Sequence, residues 1–309
     1  MNTVKFSIFA DLHHHPLQYF SEAEKRLEAI RKRAVENNVD FVISAGDFCH
    51  MPTEYGEIIK QFADFPMPTY HVLGNHDNDA ATLEESLKAY NMPAPFYYFD
   101  KNGFRFIVLD TNYICLKGEY IHYDHSNYWQ TGHIPGANGN ISAEQLGWLY
   151  DVCTETDNPC VIISHDSLER EAEGLSNLFA VRETIRKINR DKRRIIMCLN
   201  GHWHVDHLRI FEDVLYMDVN SCTMDWVGKY HEKYPEALRK EHTDMDRVLI
   251  YNEPVHAICT LKEDGTVIID GMKGSYFMNV SRADIGARPC DFNGRLFTPN
   301  VLSAKLKML

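Results

Sequence analysis

Gly74-Asn75-His76-Asp77 sets an amide, an imidazole and a carboxylate in a row, directly after the run Thr69-Tyr70-His71-Val72-Leu73. The run reads as a strand, and Gly74 lets the chain leave it in a tight turn. Alone, such a tetrapeptide is an ordinary polar turn. It gains meaning from four other strand-like runs that end in metal-ligand residue types: Asp11-Leu12-His13, Gly46-Asp47, Ser164-His165 and Gly201-His202-Trp203-His204. Asp, His and Asn suit borderline divalent ions, and five such strand ends supply the donors a two-metal hydrolase needs. Asp11 and His13, two residues apart at a strand end, can point to one side. His14 and His15 extend that run, and of the three histidines His13 is the candidate ligand.

The elements that position these residues follow from hydrophobic periodicity. Residues 4–10 alternate and read as a strand; residues 40–45 are nearly all apolar, as expected of a strand covered on both faces. Between them, Ser21 and Glu24 have capping-box spacing, and Leu27, Ile30 and Ala34 mark a helix face. This strand–helix–strand pattern implies parallel pairing. Ile58, Phe62 and Phe65 mark a second helix, stopped by Pro66 and Pro68, and residues 80–90 read as a short helix. Asn102-Gly103 is the turn of a hairpin. Ser142 and Gln145 form a second capping box, and Leu178, Val181, Ile185 and Ile188 mark another helix. Residues 160–163 and 195–199 are the strands that deliver His165 and the pair His202 and His204. Strands without helices between them follow, closing with a hairpin around Asp264-Gly265. Residues 225–250 are charged and expected to be helical.

Periodicity vanishes over residues 111–140, which hold Tyr113, Tyr120, His122, Tyr123, His125, Tyr128, Trp129 and His133. So aromatic a stretch argues against disorder, and it is expected to form a lid or substrate wall. The expected organisation is one domain over residues 1–280 with a lid-like insertion at 113–140, then a C-terminal tail at 281–309.

At 309 residues the chain can bury a large core, and its 44% hydrophobic and 25% charged content are those of a globular protein. A net charge of −12 disfavours long nucleic acid as a partner but not small phosphate esters, to which a metal pair offers local positive charge. The eight cysteines form no CxxC pair and are expected as reduced, mostly buried thiols. The first apolar run leads straight into Asp11 with no signal-peptide pattern, and no run is long enough to span a bilayer. A cytoplasmic protein without membrane contact is expected, its oligomeric state left open.

The order D-x-H, G-D, G-N-H-D, H, G-H-x-H resembles the calcineurin-like metallophosphoesterases. The resemblance implies an α/β fold, a four-layer α/β/β/α sandwich of two mixed sheets flanked by helices, with the site at the carboxyl ends of the strands. It implies that Asp11, His13 and His204 hold one metal, that Asn75, His165 and His202 hold a second, and that Asp47 bridges both. The cofactors would be two divalent transition-metal ions (Mn, Fe or Zn), favoured over Mg or Ca by the histidine-rich shell. A hydroxide between the metals would be the nucleophile, and His76 would be catalytic, near the leaving oxygen, as general acid or electrostatic stabiliser. The plainer role for His76 is a hydrogen bond to Asp77 that shapes the loop. The protein Ser/Thr phosphatases of this superfamily carry an Asp and an Arg soon after Gly-Asp; Phe48-Cys49-His50-Met51-Pro52 lacks both, which argues against phosphoprotein substrates and leaves His76 without its usual Asp partner. The Gly-Asn-His-Asp form is more similar to class III cyclic-nucleotide phosphodiesterases and glycerophosphodiesterases. The expected activity is hydrolysis of a small nucleotide-like or alcohol-phosphate diester. A phosphomonoesterase, a pyrophosphatase on nucleoside diphosphate derivatives and a non-catalytic metal- or phosphate-binding module are the alternatives. No substrate-binding residue is assigned.

Overall fold

A computed structural model describes residues 2–127 and 139–308. Tyr128, Trp129 and His133 lie outside the described residues.

The first half runs β1 (Thr3–Phe9), α1 (Ala23–Glu36), β2 (Phe41–Ser44), α2 (Gly56–Ala63), β3 (Thr69–His71), α3 (Leu83–Ala89), β4 (Tyr97–Lys101), β5 (Phe104–Val108), β6 (Tyr113–Leu116) and β7 (Glu119–His122). The second runs α4 (Ala143–Thr154), β8 (Cys160–Ile163), α5 (Leu178–Asn189), β9 (Ile195–Asn200), β10 (His207–Phe211), β11 (Val214–Asp218), β12 (Met224–Trp226), α6 (Glu236–Glu241), β13 (Val248–Ile250), β14 (Ala257–Lys262), β15 (Thr266–Asp270), β16 (Met272–Lys273), β17 (Asn300–Val301) and β18 (Ala304–Lys307).

Two six-stranded sheets result, ordered β18-β15-β14-β1-β2-β3 and β10-β11-β9-β8-β5-β4. In the first, β1, β2 and β3 are parallel and the remaining pairs antiparallel; in the second, β5, β8, β9 and β11 are parallel between antiparallel edges. Side-chain alternation sorts each strand between two cores. Val4, Phe6 and Ile8 of β1 meet Phe104, Phe106 and Val108 of β5 between the sheets. On the outer face of the first sheet, Phe9 and Val42 pack with Leu27, Ile30 and Phe62 of α1 and α2. On that of the second, Ile107 and Ile162 pack with Leu149, Val181 and Ile185 of α4 and α5. The layers are therefore helix, sheet, sheet, helix, the α/β sandwich the sequence implies.

Tertiary contacts override two local readings. The Ser21 capping box does not form: α1 begins at Ala23, and Glu22 at its N-cap makes no side-chain cap bond. Buried Arg26 instead reaches the carbonyls of Ser21, Cys222 and Tyr251, tying the helix start to the far end of the chain. Residues 225–250 are mostly not helical. Strands β12 and β13 pair there, with only α6 between them, because Met224, Val248 and Ile250 bury into a satellite core with Tyr19 and Tyr234. Residues 281–309 contribute to the sheet, since β18 pairs antiparallel with β15 at its edge. Within the insertion, β6 and β7 form a hairpin. No helix among the described residues is long and apolar enough to cross a membrane.

Candidate metal centre and active site

The loops after β1, β2 and β3 of one sheet and after β8 and β9 of the other meet across the gap between the sheets. Asp11, His13, Asp47, His202 and His204 take the left-handed backbone region, with φ of 55°, 49°, 51°, 76° and 50°. Five strained non-glycine residues at adjoining strand ends are a conformation that surrounding structure must impose, and such strain concentrates at functional sites. Gly74 permits a close approach: a Cβ there would lie 2.2 Å from Asp47 Oδ1.

The donor atoms fall into two groups. In the first, His13 Nε2 faces His204 Nε2 at 3.0 Å, and Asp11 Oδ1 lies 3.6 Å from His204 Nε2 and 3.9 Å from His13 Nε2. In the second, His165 Nε2 lies 3.1 Å from His202 Nδ1 and 3.1 Å from Asp47 Oδ2. The same Asp47 oxygen is 3.9 Å from His13 Nε2, so one carboxylate reaches both groups. Both groups are geometrically able to hold a metal ion. Asn75 opens the short turn 75–78 beside Asp47, whose Oδ1 accepts from His76 N at 2.8 Å.

The donor chemistry fits two divalent ions. Facing imidazole nitrogens at about 3 Å need either a proton or a shared cation between them. Asn75 Oδ1 is buried with no hydrogen-bond partner among the described residues, which is costly unless a cation satisfies it. Neighbouring groups orient the rings. His165 Nδ1 donates to Ala45 O at 2.8 Å, which leaves Nε2 free to ligate. Burial opposes protonation of His165, but Asp47 outweighs it and pushes the imidazole up to about 10. Asp47 in turn is held well below the usual carboxylate range: burial opposes this, and His165 and then His76 overcome it. A buried carboxylate so dependent on positive neighbours marks a place where cations are favoured.

His76 stands beside both groups. Its Nδ1 meets Asp79 Oδ2 at 2.5 Å, and its ring stacks on His50 at 4.4 Å. Burial lowers its affinity for a proton, yet Asp79 and then Asp47 raise it to about 9. The plainer role of bonding Asp77 is not what the structure shows. Asp77 accepts from the Phe48, Cys49 and Gly74 amides and from the Tyr90 hydroxyl, cementing the Gly-Asp loop to the Gly-Asn-His-Asp loop. The carboxylate partner of His76, absent from its usual place after Gly-Asp, is thus supplied three residues further on.

All seven candidate ligand residues lie at these joined strand ends, with His76 among them. Sequence reasoning missed Asp79 and His50. Asp79 Oδ2 also lies 3.2 Å from His50 Nδ1, and His50 Nε2 lies 2.9 Å from His13 Nδ1. One carboxylate therefore orients both His76 and, through His50, His13. The insertion touches this hub through Tyr123, whose hydroxyl donates to Asp79 Oδ1 at 3.3 Å. The available signal was a polar residue soon after each motif, too common to single out.

The calcineurin-like phosphoesterase family model matches residues 4–206, so the chain belongs to that family and is a metal-dependent phosphoesterase, a hydrolase of phosphate ester bonds. Among solved structures, a dimetal phosphatase from Danio rerio is 15% identical, with a TM-score of 0.65 and full coverage of both chains. GAP50, the anchor in the inner membrane complex of Plasmodium, is 12% identical, with a TM-score of 0.58 over 100% of this chain and 90% of that one. These likenesses are of fold. No curated protein sequence matches the chain significantly.

Proposed function

We propose that the protein is a dinuclear phosphodiesterase acting on a small nucleotide-like or alcohol-phosphate ester. Asp11, His13 and His204 would hold one ion, Asn75, His165 and His202 the other, and Asp47 would be the carboxylate within reach of both. The observation that carries this reading is the single Asp47 oxygen within 3.9 Å of His13 and 3.1 Å of His165. Two such ions supply Lewis acidity and an activated water. With two carboxylates against four positive charges, the centre stays cationic and suits a phosphoryl group. Asn75 binds without adding negative charge. The chain's own contribution to bond breaking is His76, held by Asp79 so that Nε2 is the free ring nitrogen. From there it donates a proton to the departing ester oxygen, or hydrogen-bonds to it. A cavity of about 640 Å³ continues from His13, Asp47, His76, His202 and His204, which leaves room for a second ester substituent and supports a diester over a monoester.

The test is a panel of phosphomonoesters, cyclic nucleotides, glycerophosphodiesters and nucleoside diphosphate derivatives, each with Mn²⁺, Zn²⁺ or Fe²⁺ added. Turnover of diesters above monoesters is expected. A protein that binds metal but cleaves nothing in the panel, bis(p-nitrophenyl) phosphate included, contradicts the reading and leaves a binding module.

A further inference from the structure

The cavity over the metal centre has a far wall built outside the span that the family model matches. Its rim comes from residues 226–229 and 282–297, together with Trp203 between two candidate ligands. In a chain of net charge −12, the charged lining beyond Asp47 and the histidines is wholly cationic among the described residues: Lys229, Arg282 and Arg288. The apolar lining is dominated by the rings of Trp203, Trp226 and Phe297.

The three cations differ in what they already hold. Arg282 is buried and committed. Its Nε and Nη2 take both oxygens of buried Asp225 at 2.6 and 2.5 Å, and its guanidinium lies 3.4 Å from the Phe297 ring centre. It also donates to the carbonyls of Trp226 at 3.3 Å and Arg288 at 3.0 Å, so one side chain fixes both edges of the wall. Lys229 and Arg288 are held differently. Lys229 Nζ rests on the Ile285 and Gly286 carbonyls, Arg288 lies over Phe292, and neither is ion-paired among the described residues. Both are exposed at the cavity mouth, and Trp226 is 39% exposed beside them. Two unneutralised cations and an exposed indole on a wall fixed by a buried ion pair form a preorganised site for an anion attached to a flat ring.

We infer that this wall is a second binding subsite, which takes an anionic group and a planar ring on the substituent of the phosphate seated at the metals. The ligand class is a nucleoside phosphate carrying more than one negative phosphate unit. The inference rests on the phosphoesterase reading of the metal centre and adds the substrate class that the wall selects. Lys229 and Arg288 attract the second anion, and Trp226 offers its face to the ring.

The test is a set of calorimetric titrations of the metal-loaded protein, at fixed free Mn²⁺, with inorganic phosphate, pyrophosphate and ADP. Each step along that series should tighten binding roughly tenfold in wild type, the scale of one charge-assisted hydrogen bond or one stacked ring. Lys229→Ala with Arg288→Ala should abolish the gain of pyrophosphate over phosphate. Trp226→Ala should abolish most of the gain of ADP over pyrophosphate. The substituted side chains are exposed, so the fold is not at stake, and comparing variant with wild type cancels metal chelation by the ligands. Equal gains in wild type and variants, or no gain along the series, overturn the inference. If phosphate binds and ADP gains nothing, the subsite falls while the phosphoesterase reading stands. If ADP binds through Lys229, Arg288 and Trp226 while phosphate alone does not bind, the subsite stands and the metal-centre reading falls.

Discussion

The floor and the far wall of the cavity are built by opposite means. The floor is made of strand ends: each candidate ligand follows an apolar run, and face-to-face packing of the two sheets brings the ends together. The wall is made of segments with little regular structure, joined by one buried ion pair between residues 57 apart, Asp225 and Arg282. The floor inherits rigidity from two sheets and suits chemistry that tolerates little displacement. The wall hangs on a few specific bonds and can vary without disturbing the floor, which is how one scaffold serves different substrates.

Substitutions separate the two. The largest effect is expected at Asp47. Asp47→Ala removes the one carboxylate common to both donor groups, so turnover should fall to background and bound metal below two per chain by elemental analysis. A variant that stays active with two metals would place the shared ligand elsewhere.

His76→Ala should leave both metals in place. It should cost ~10²–10⁴-fold in turnover of alkyl or ribosyl esters and much less with nitrophenyl esters, whose leaving group needs little help. The measurement is the slope of log(kcat/KM) against leaving-group pKa, steeper in the variant. Asp79→Asn should reproduce a milder form of the same change. Parallel slopes would leave His76 a structural residue of the floor.

On the wall, Arg282→Ala strands the buried Asp225 charge, a loss that typically costs about 3–5 kcal/mol of stability. Denaturant melts should show it, with metal content retained. Arg282→Met combined with Asp225→Leu should recover most of the stability but not the discrimination between ADP and phosphate. Recovery of that discrimination would mean that the pair is only packing.

The smallest effect concerns pH. Burial lowers His71 on β3 to about 3 and His256 to about 4. Each binds a proton more readily unfolded than folded, so the stability they confer is complete above about 6.5 and is lost as pH falls toward those values. His71→Phe, which keeps a ring among Phe48, Phe62 and Tyr90, should flatten the acid side of the stability profile relative to wild type. An unchanged profile would show that His71 does not titrate with unfolding.

The floor was legible because local rules place its residues. A breaker after an apolar run ends a strand, and the polar residue at that end has nowhere to point but the sheet edge. Asn75, His165 and the pair His202 and His204 could be read that way. The wall was not legible. Nothing near Arg282 in the sequence announces Asp225, and residues 225–250 look charged because their apolar positions are spaced for two distant strands and a satellite core. Ser21 failed as a cap for a similar reason, since the reach of Arg26 to Cys222 and Tyr251 decides where α1 starts. Asp79 lay in plain view in Asn75-His76-Asp77-Asn78-Asp79, but only folding shows which carboxylate the imidazole meets.

The central claim is that two ions share Asp47 at the joined strand ends. The direct measurement is anomalous diffraction from crystals of the Mn²⁺-loaded protein. Two peaks roughly 3.5–4 Å apart are predicted. One should be surrounded by Asp11, His13 and His204, the other by Asn75, His165 and His202, with Asp47 touching both. A single peak, or a peak held by His50, His76 and Asp79 in place of either, would contradict it.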